Sequence, residues 1–290
     1  MKDENKTTGA KRSPVDERDW RAESIHPTVT LPLKFDLREK MLPVRDQGYQ
    51  GSCAAMTAAA MKEYQEYINI SLAEYMSPQF VYDNRYDQTH LAGMYGREVM
   101  QILQEKGDCR EVTYPYNHPH SPEDIAENIY EEALNFTIQN YAQVTTIEGL
   151  KTALMQNGPC YIAVPVYRYD TRMWYQYPGD VGKCGHAMTV VGWDDKGFII
   201  RNSWGEDWGD KGFCTFPYED WGWQWEVWSP IDDNSSTPNP KYFNNLWLMK
   251  FWLWLQKAYK KYRPFFDMAI LTAVFFTVKF ILVDLLHWVK

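Results

Sequence analysis

The chain has no apolar opening: its first residues, MKDENKTTGAKRS, are wholly polar, so no secretory leader is visible. Cysteine is scarce. The five, Cys53, Cys109, Cys160, Cys184 and Cys214, are odd in number, widely spaced and without a CxxC pair. This excludes a disulfide framework and a zinc pattern, and makes a reducing compartment the simplest home. No internal repeat is present, which excludes solenoids and propellers. A basic excess is missing from most of the chain. Net charge is −8, yet residues 241–290 hold eight Lys or Arg against two acids, which leaves about −14 on residues 1–240. An acidic body argues against a nucleic-acid partner, while a basic tail suits an anionic surface.

At 290 residues, 45% apolar and 23% charged, the chain can bury a substantial globular core. Residues 1–19 read as disordered, being polar with few apolar side chains. Residues 20–33 acquire Trp20, Ile25, Pro27 and Pro32 and read as an extended strap. Residues 53–67 contain no Gly or Pro and are rich in Ala, Met, Lys, Glu and Gln, which favours a helix. Further helices are expected after Ser77-Pro78, over 97–106 with a stop at Gly107, over 122–135, and over 147–157 before Asn157-Gly158-Pro159. Residues 160–167, 186–193, 197–201 and 212–216 are short β-branched or aromatic runs parted by Gly, Asp and Asn, the pattern of antiparallel strands. Helices first and strands second predict an α+β body of two lobes.

The stretch that organises this body is DQGYQGSCAAMTAAA, which delivers Cys53 to the first position of the helix. Unsatisfied N–H groups and the positive end of the helix dipole favour thiolate there. A buried, inert thiol fits the same stretch. Two later blocks tip the balance. His186 opens the strand-like GHAMTVVGW, and Asn202 lies sixteen residues on in RNSWGEDWGDKGF. A cysteine at a helix start, a histidine at a strand start and an asparagine able to hold the imidazole are the parts of a nucleophilic acyl-transfer site.

Together DQGYQGSC, GHAMTVVGW and RNSWGEDWGDKGF resemble the three signature blocks of papain-family cysteine peptidases, in that family's order. VDERDW, LPLKFDLREKMLPVRDQG and GFCTFPY are similar to its xylellain-like bacterial and viral branch, and the resemblance covers roughly residues 15–228. It implies a two-lobe fold, a helical left lobe beside an antiparallel β-barrel-like right lobe, with no cofactor and no metal. It also implies that Cys53 is the nucleophile, His186 the general base and acid, Asn202 the residue orienting the imidazole and Gln47 the oxyanion-hole side chain. The Cys–His pair would rest as thiolate and imidazolium. Trp204 would shield the Asn–His hydrogen bond from water and Trp208 would line the leaving-group side. Gly93 would pair its backbone with an extended polypeptide substrate. Ala163 and Ala187 would wall the pocket for the second residue upstream of the scissile bond, and two alanines there predict a roomy pocket for a medium or large apolar residue.

Departures from the family's pattern are Ala54 after the nucleophile, Gln50 where secreted relatives carry a disulfide cysteine, Met94 in place of a second glycine, and Cys184 two residues before His186. Secreted relatives carry a long helical inhibitory segment, whereas only some 34 residues precede Phe35. Residues 15–33 are expected to lie on the body as a brace or partial lid.

Beyond a polar, proline-bearing linker, LWLMKFWLWLQKAYKKYR combines Trp, Tyr and Lys in the manner of an interfacial anchor. Residues 265–289 are long enough to cross a bilayer but are interrupted by Asp267, Lys279, Asp284 and His287. The expected organisation is a disordered segment and strap over 1–34, a peptidase body over 35–230, a linker over 231–245, and a helical hydrophobic tail over 246–290. The expected function is a thiol endopeptidase held at a membrane by its tail, which could also oligomerise it. Its body would sit on the cytoplasmic side or inside a virus particle. The competing readings are a catalytically dispensable scaffold with the same fold, and an acyl transferase using the same triad.

Overall fold

The computed structural model describes residues 7–25, 29–89, 93–117, 121–182 and 184–232. Six α-helices are described: α1 (Ala22–Ile25), α2 (Cys53–Ile70), α3 (Pro78–Asp83), α4 (Gly96–Glu105), α5 (Glu127–Ala133) and α6 (Ile147–Asn157). They accompany nine strands: β1 (Ala10–Lys11), β2 (Phe35–Asp36), β3 (Met94–Tyr95), β4 (Asn140–Gln143), β5 (Cys160–Val166), β6 (Cys184–Trp193), β7 (Gly197–Arg201), β8 (Phe213–Pro217) and β9 (Glu226–Ile231). The strands form one sheet with the path β3-β1-β6-β5-β9-β4, to which β2 and β7 add along β6 and β8 along β7. All described strand pairs are antiparallel except β1 with β3.

Local chemistry accounts for the element ends. Ser77 caps α3 by accepting a hydrogen bond from the Phe80 N–H at 3.0 Å, with Pro78 in the first turn. Thr146 caps α6 through the Gly149 N–H at 3.0 Å. Gly107 follows α4 at φ +74°, a left-handed turn that a Cβ would strain. The helix expected over 122–135 is broken: residues 122–124 form a single 3₁₀ turn, Ile125 is extended, and α5 starts at Glu127. β4 and β9 went unforeseen. Each pairs with a strand distant in sequence, and neither stands out by composition.

Two apolar cores make two lobes. One gathers Trp174, Trp193, Trp204, Phe198 and Phe216 on one face of β5–β7. The other gathers Ala54, Ala55, Ala58, Met61, Val81 and Leu103 around α2, α3 and α4. This is the expected α+β two-lobe fold. Alternation along β6 sends Met188 and Val190 to the first core and Ala187 to the second. α2 lies against β6, and its alanines, fully or nearly fully buried, allow close approach there. Buried charges along the helix are paired. Lys62, wholly buried, is held by Glu66 at 2.6 Å and Asp232 at 2.9 Å. Arg45 binds Glu63 at 2.6 Å and Glu111 at 3.1 Å.

Candidate active site

Cys53 is the first residue of α2, as its sequence position predicts, and it is fully buried. Backbone N–H groups of Ala187, Gly9 and Ala54 point at its sulfur. The approach is held by Tyr116, whose hydroxyl donates to the Gln47 carbonyl at 2.9 Å and also contacts Ser52. Sequence reasoning missed Tyr116, which no motif marks.

The β6–β7 hairpin brings His186 and Asn202 together at its open end. The Thr189–Arg201 pair closes the ladder, Asn202 follows β7, and His186 stands three residues further along β6. His186 Nε2 and Asn202 Oδ1 are 2.7 Å apart, and Oδ1 also accepts from the Ser203 N–H at 2.8 Å. With Nε2 engaged, Nδ1 is the ring nitrogen without a hydrogen-bond partner among the described residues. The imidazole stacks on Trp204, centroids 4.3 Å apart, and Trp208 meets Trp204 edge-on at 5.6 Å. All four side chains are buried, so the His–Asn bond is kept from water.

Gln47 joins the same constellation. Its N–H donates to the Ser203 carbonyl at 2.8 Å, and its Oε1 accepts from the Ser203 hydroxyl at 2.7 Å. That leaves Nε2 turned to the other side, where it donates to the Gln50 carbonyl at 2.9 Å and the Thr7 carbonyl at 3.1 Å. The structure thus brings together His186, Asn202, Gln47, Trp204 and Trp208, and the residue after His186, Ala187, turns its N–H to the Cys53 sulfur. Among the described residues, no group of three or more His, Cys, Asp or Glu is placed to hold a metal ion.

A family model described as papain family cysteine protease matches residues 31–224. The chain belongs to the papain family of cysteine proteases. It is 29% identical to mouse cathepsin K over 196 residues, which cover 63% of this chain and 59% of that protein. It is 27% identical to mouse cathepsin O over 217 residues, 65% of this chain and 64% of that protein. The chain therefore spans about six-tenths of the length of these curated relatives. Xylellain, a cysteine protease from Xylella fastidiosa, superposes with a TM-score of 0.68 at 26% identity, covering 80% of this chain and 98% of that one.

Within this papain fold the cleft is occupied by the chain's own N-terminus. Composition predicts disorder over residues 1–19, yet residues 7–13 run across the site. β1 enters the sheet between β3 and β6, with Ala10 opposite both Met94 and Gly185. The Gly9 carbonyl accepts from the Met94 N–H at 2.7 Å, and the Thr8 hydroxyl meets the Cys184 sulfur. The backbone partner expected of Gly93 is thus supplied by Met94, and Gly93 gives the room: a Cβ there would stand 1.9 Å from the Gly9 carbonyl oxygen. Further along, Arg97 binds Asp19 Oδ1 at 2.9 Å and the Pro14 carbonyl at 2.7 Å. Glu23 caps the Thr145 and Thr146 N–H groups at 2.7 and 2.8 Å. Residues 14–23 therefore brace the body, with Ala22–Ile25 helical where composition predicts an extended run, while the lid over the cysteine is formed by residues before them. The sequence signal was faint: a Gly-Ala pair between Thr8 and Lys11 in a polar terminus.

Enclosure changes the electrostatics. Burial pushes the Cys53 thiol up to about 11 against the three N–H groups that favour thiolate. Burial also holds His186 down at about 4, partly offset by Asn202. In this closed state the pair is neutral, unlike the ion pair that the resemblance implies. The alkylation rate of Cys53 by iodoacetamide in the intact chain should therefore keep rising with pH towards about 11. A plateau below pH 7 in the intact chain would contradict a sealed thiol. For His186 the sign runs the other way. The stability of the closed state is complete above the unfolded value of about 6.5. It is lost as pH falls towards about 4, since an exposed ring takes up a proton that the buried one refuses.

Proposed function

We propose that this chain is a cysteine-type endopeptidase whose nucleophile is Cys53. The observation that carries the reading is the Gln47 Nε2 bond to the Thr7 carbonyl: the side chain expected to hold a substrate's oxyanion binds a peptide carbonyl of the segment lying in the cleft. In the open cleft His186 Nδ1 takes the thiol proton, with Asn202 fixing the ring through Nε2. The thiolate then attacks the carbonyl carbon, and the oxyanion is held by Gln47 Nε2 and the Cys53 N–H. Collapse breaks the C–N bond, the leaving amine takes the proton from His186, and a thioester remains on Cys53. Water, deprotonated by His186, hydrolyses that thioester and returns the thiol.

The bound segment runs in the direction opposite to that of a substrate. A productive substrate puts its pocket residue upstream of the carbonyl at Gln47. Here the carbonyl belongs to Thr7 and the pocket residue is Ala10, downstream of it. The segment therefore blocks the site without offering a bond in the cleavable direction. Gln47→Ala should lower kcat for a fluorogenic peptide by about 10²–10³-fold with little change in KM, the signature of lost transition-state stabilisation. An unchanged kcat would remove Gln47 from the oxyanion hole.

We also propose that the peptidase body, residues 35–230, is addressed to a membrane by residues 246–290. These lie outside the described residues; among the described ones no helix is long and apolar enough to cross a membrane. Support comes from the Trp- and Lys-rich composition of 246–263 and the basic cluster from Lys250 to Arg263, which would keep the body on the cytoplasmic side. Carbonate extraction should leave the full-length chain in the membrane pellet. Its release to the supernatant would overturn this reading.

A further inference from the structure

Ala163 and Ala187, which face one another across the β5–β6 ladder, leave room in sequence for a large apolar side chain between the lobes. The structure fills that room. Met94, standing where the family's pattern has glycine, is fully buried in the same cluster as Ala163, Ala187 and Tyr161. Trp225, which carries no motif, donates its N–H to the Ala163 carbonyl at 2.8 Å and packs its indole against the cluster. A Cβ at Gly185 would stand 2.1 Å from the Trp225 ring and 2.4 Å from the Ala10 carbonyl oxygen, so indole and bound segment meet over this glycine. The side chain seated there is one methyl group: Ala10 is 6% exposed and packs in that cluster. These contacts argue for a shallow pocket in place of the roomy one that two alanines predict.

We propose that Trp225 and Met94 restrict the pocket walled by Ala163 and Ala187, where the Ala10 methyl sits, to side chains of alanine size. A peptide substrate then carries Ala, Gly or Ser, not Leu or Phe, at the second position upstream of the scissile bond. This rests on the peptidase reading and narrows its substrate class. Trp225 sets specificity without touching the reacting atoms.

Pocket size can be read in the full-length chain without turnover. Ala10→Leu should displace the segment and raise the rate of Cys53 alkylation by about tenfold or more, the discrimination expected when an apolar pocket is asked to take extra carbons. In a Trp225→Ala background the same leucine should be accommodated and the alkylation rate should return towards that of the closed chain. Trp225→Leu, a milder truncation, should give an intermediate value should the alanine variant fold poorly. Turnover is read in the full chain opened by Gly9→Leu. Peptides with Ala upstream should be preferred to Leu by about tenfold or more in kcat/KM, and Trp225→Ala should reverse the order. Ala10→Leu that leaves alkylation unchanged, or equal cleavage of Ala and Leu peptides, overturns the proposal. An opened chain whose Cys53 alkylates readily but cleaves no peptide sinks the peptidase reading and the substrate clause with it, while the leucine–alanine pair still reports the pocket.

Discussion

Cys53→Ala and His186→Ala should each lower peptide turnover by about 10⁴–10⁶-fold, and the double variant should be no worse than the more damaged single one. The two groups act on one proton and one bond, so removing either removes the step. Without the thiol no thioester forms. Without the imidazole the thiol keeps its proton, because burial favours the neutral form and the side chain bonded to the ring, Asn202, does not titrate. Epoxysuccinyl labelling separates this from simple unfolding. Cys53 should label in an opened chain, while Cys109 and Cys160, buried and pushed well up by desolvation, should not. Label at Cys53 should drop sharply in His186→Ala, with the melting temperature little changed. Equal labelling of several cysteines would return the chain to the scaffold reading, and turnover surviving either substitution within tenfold would remove this pair from the chemistry.

Gly9→Leu should act in the opposite sense, raising turnover and alkylation by about 10²-fold. Gly9 has no room for a side chain in the closed cleft. A Cβ there would stand 2.0 Å from the Gly51 carbonyl oxygen, a rigid backbone atom that cannot turn aside. The clash breaks the hydrogen bonds of Gln47 with Thr7, of Met94 with Gly9 and of Gly9 with Cys53. At about 1 kcal/mol each, three such bonds correspond to about 3 kcal/mol, or roughly one open molecule in 10² before the substitution. The outer anchors, Arg97 with Asp19 and Glu23 with Thr145, lie beyond the clash and should keep the strap in place. Opening also rehydrates the pair, so the alkylation profile of Gly9→Leu should move to lower pH than that of the intact chain. An activity and a profile identical to the unsubstituted chain would show that the segment does not guard the thiol.

The Cys53, His186, Asn202 and Gln47 constellation was legible because each residue sits inside a short block whose local form follows from its own composition. An alanine-rich run makes a helix with Cys53 at its start, and alternation makes β6 and β7, whose hairpin must bring residues 186 and 202 together. The protonation state of the pair, the size of the pocket and the guard over the thiol were not legible. Each depends on what is brought from far along the chain: Thr7 to Gln47, Gly9 to Gly51 and Met94, Trp225 to Ala163 and Gly185. Sequence by itself determines which groups can react, since that is a matter of residue type and local backbone. Tertiary structure decides whether water reaches them and what fits beside them, because burial and free volume belong to the packed whole.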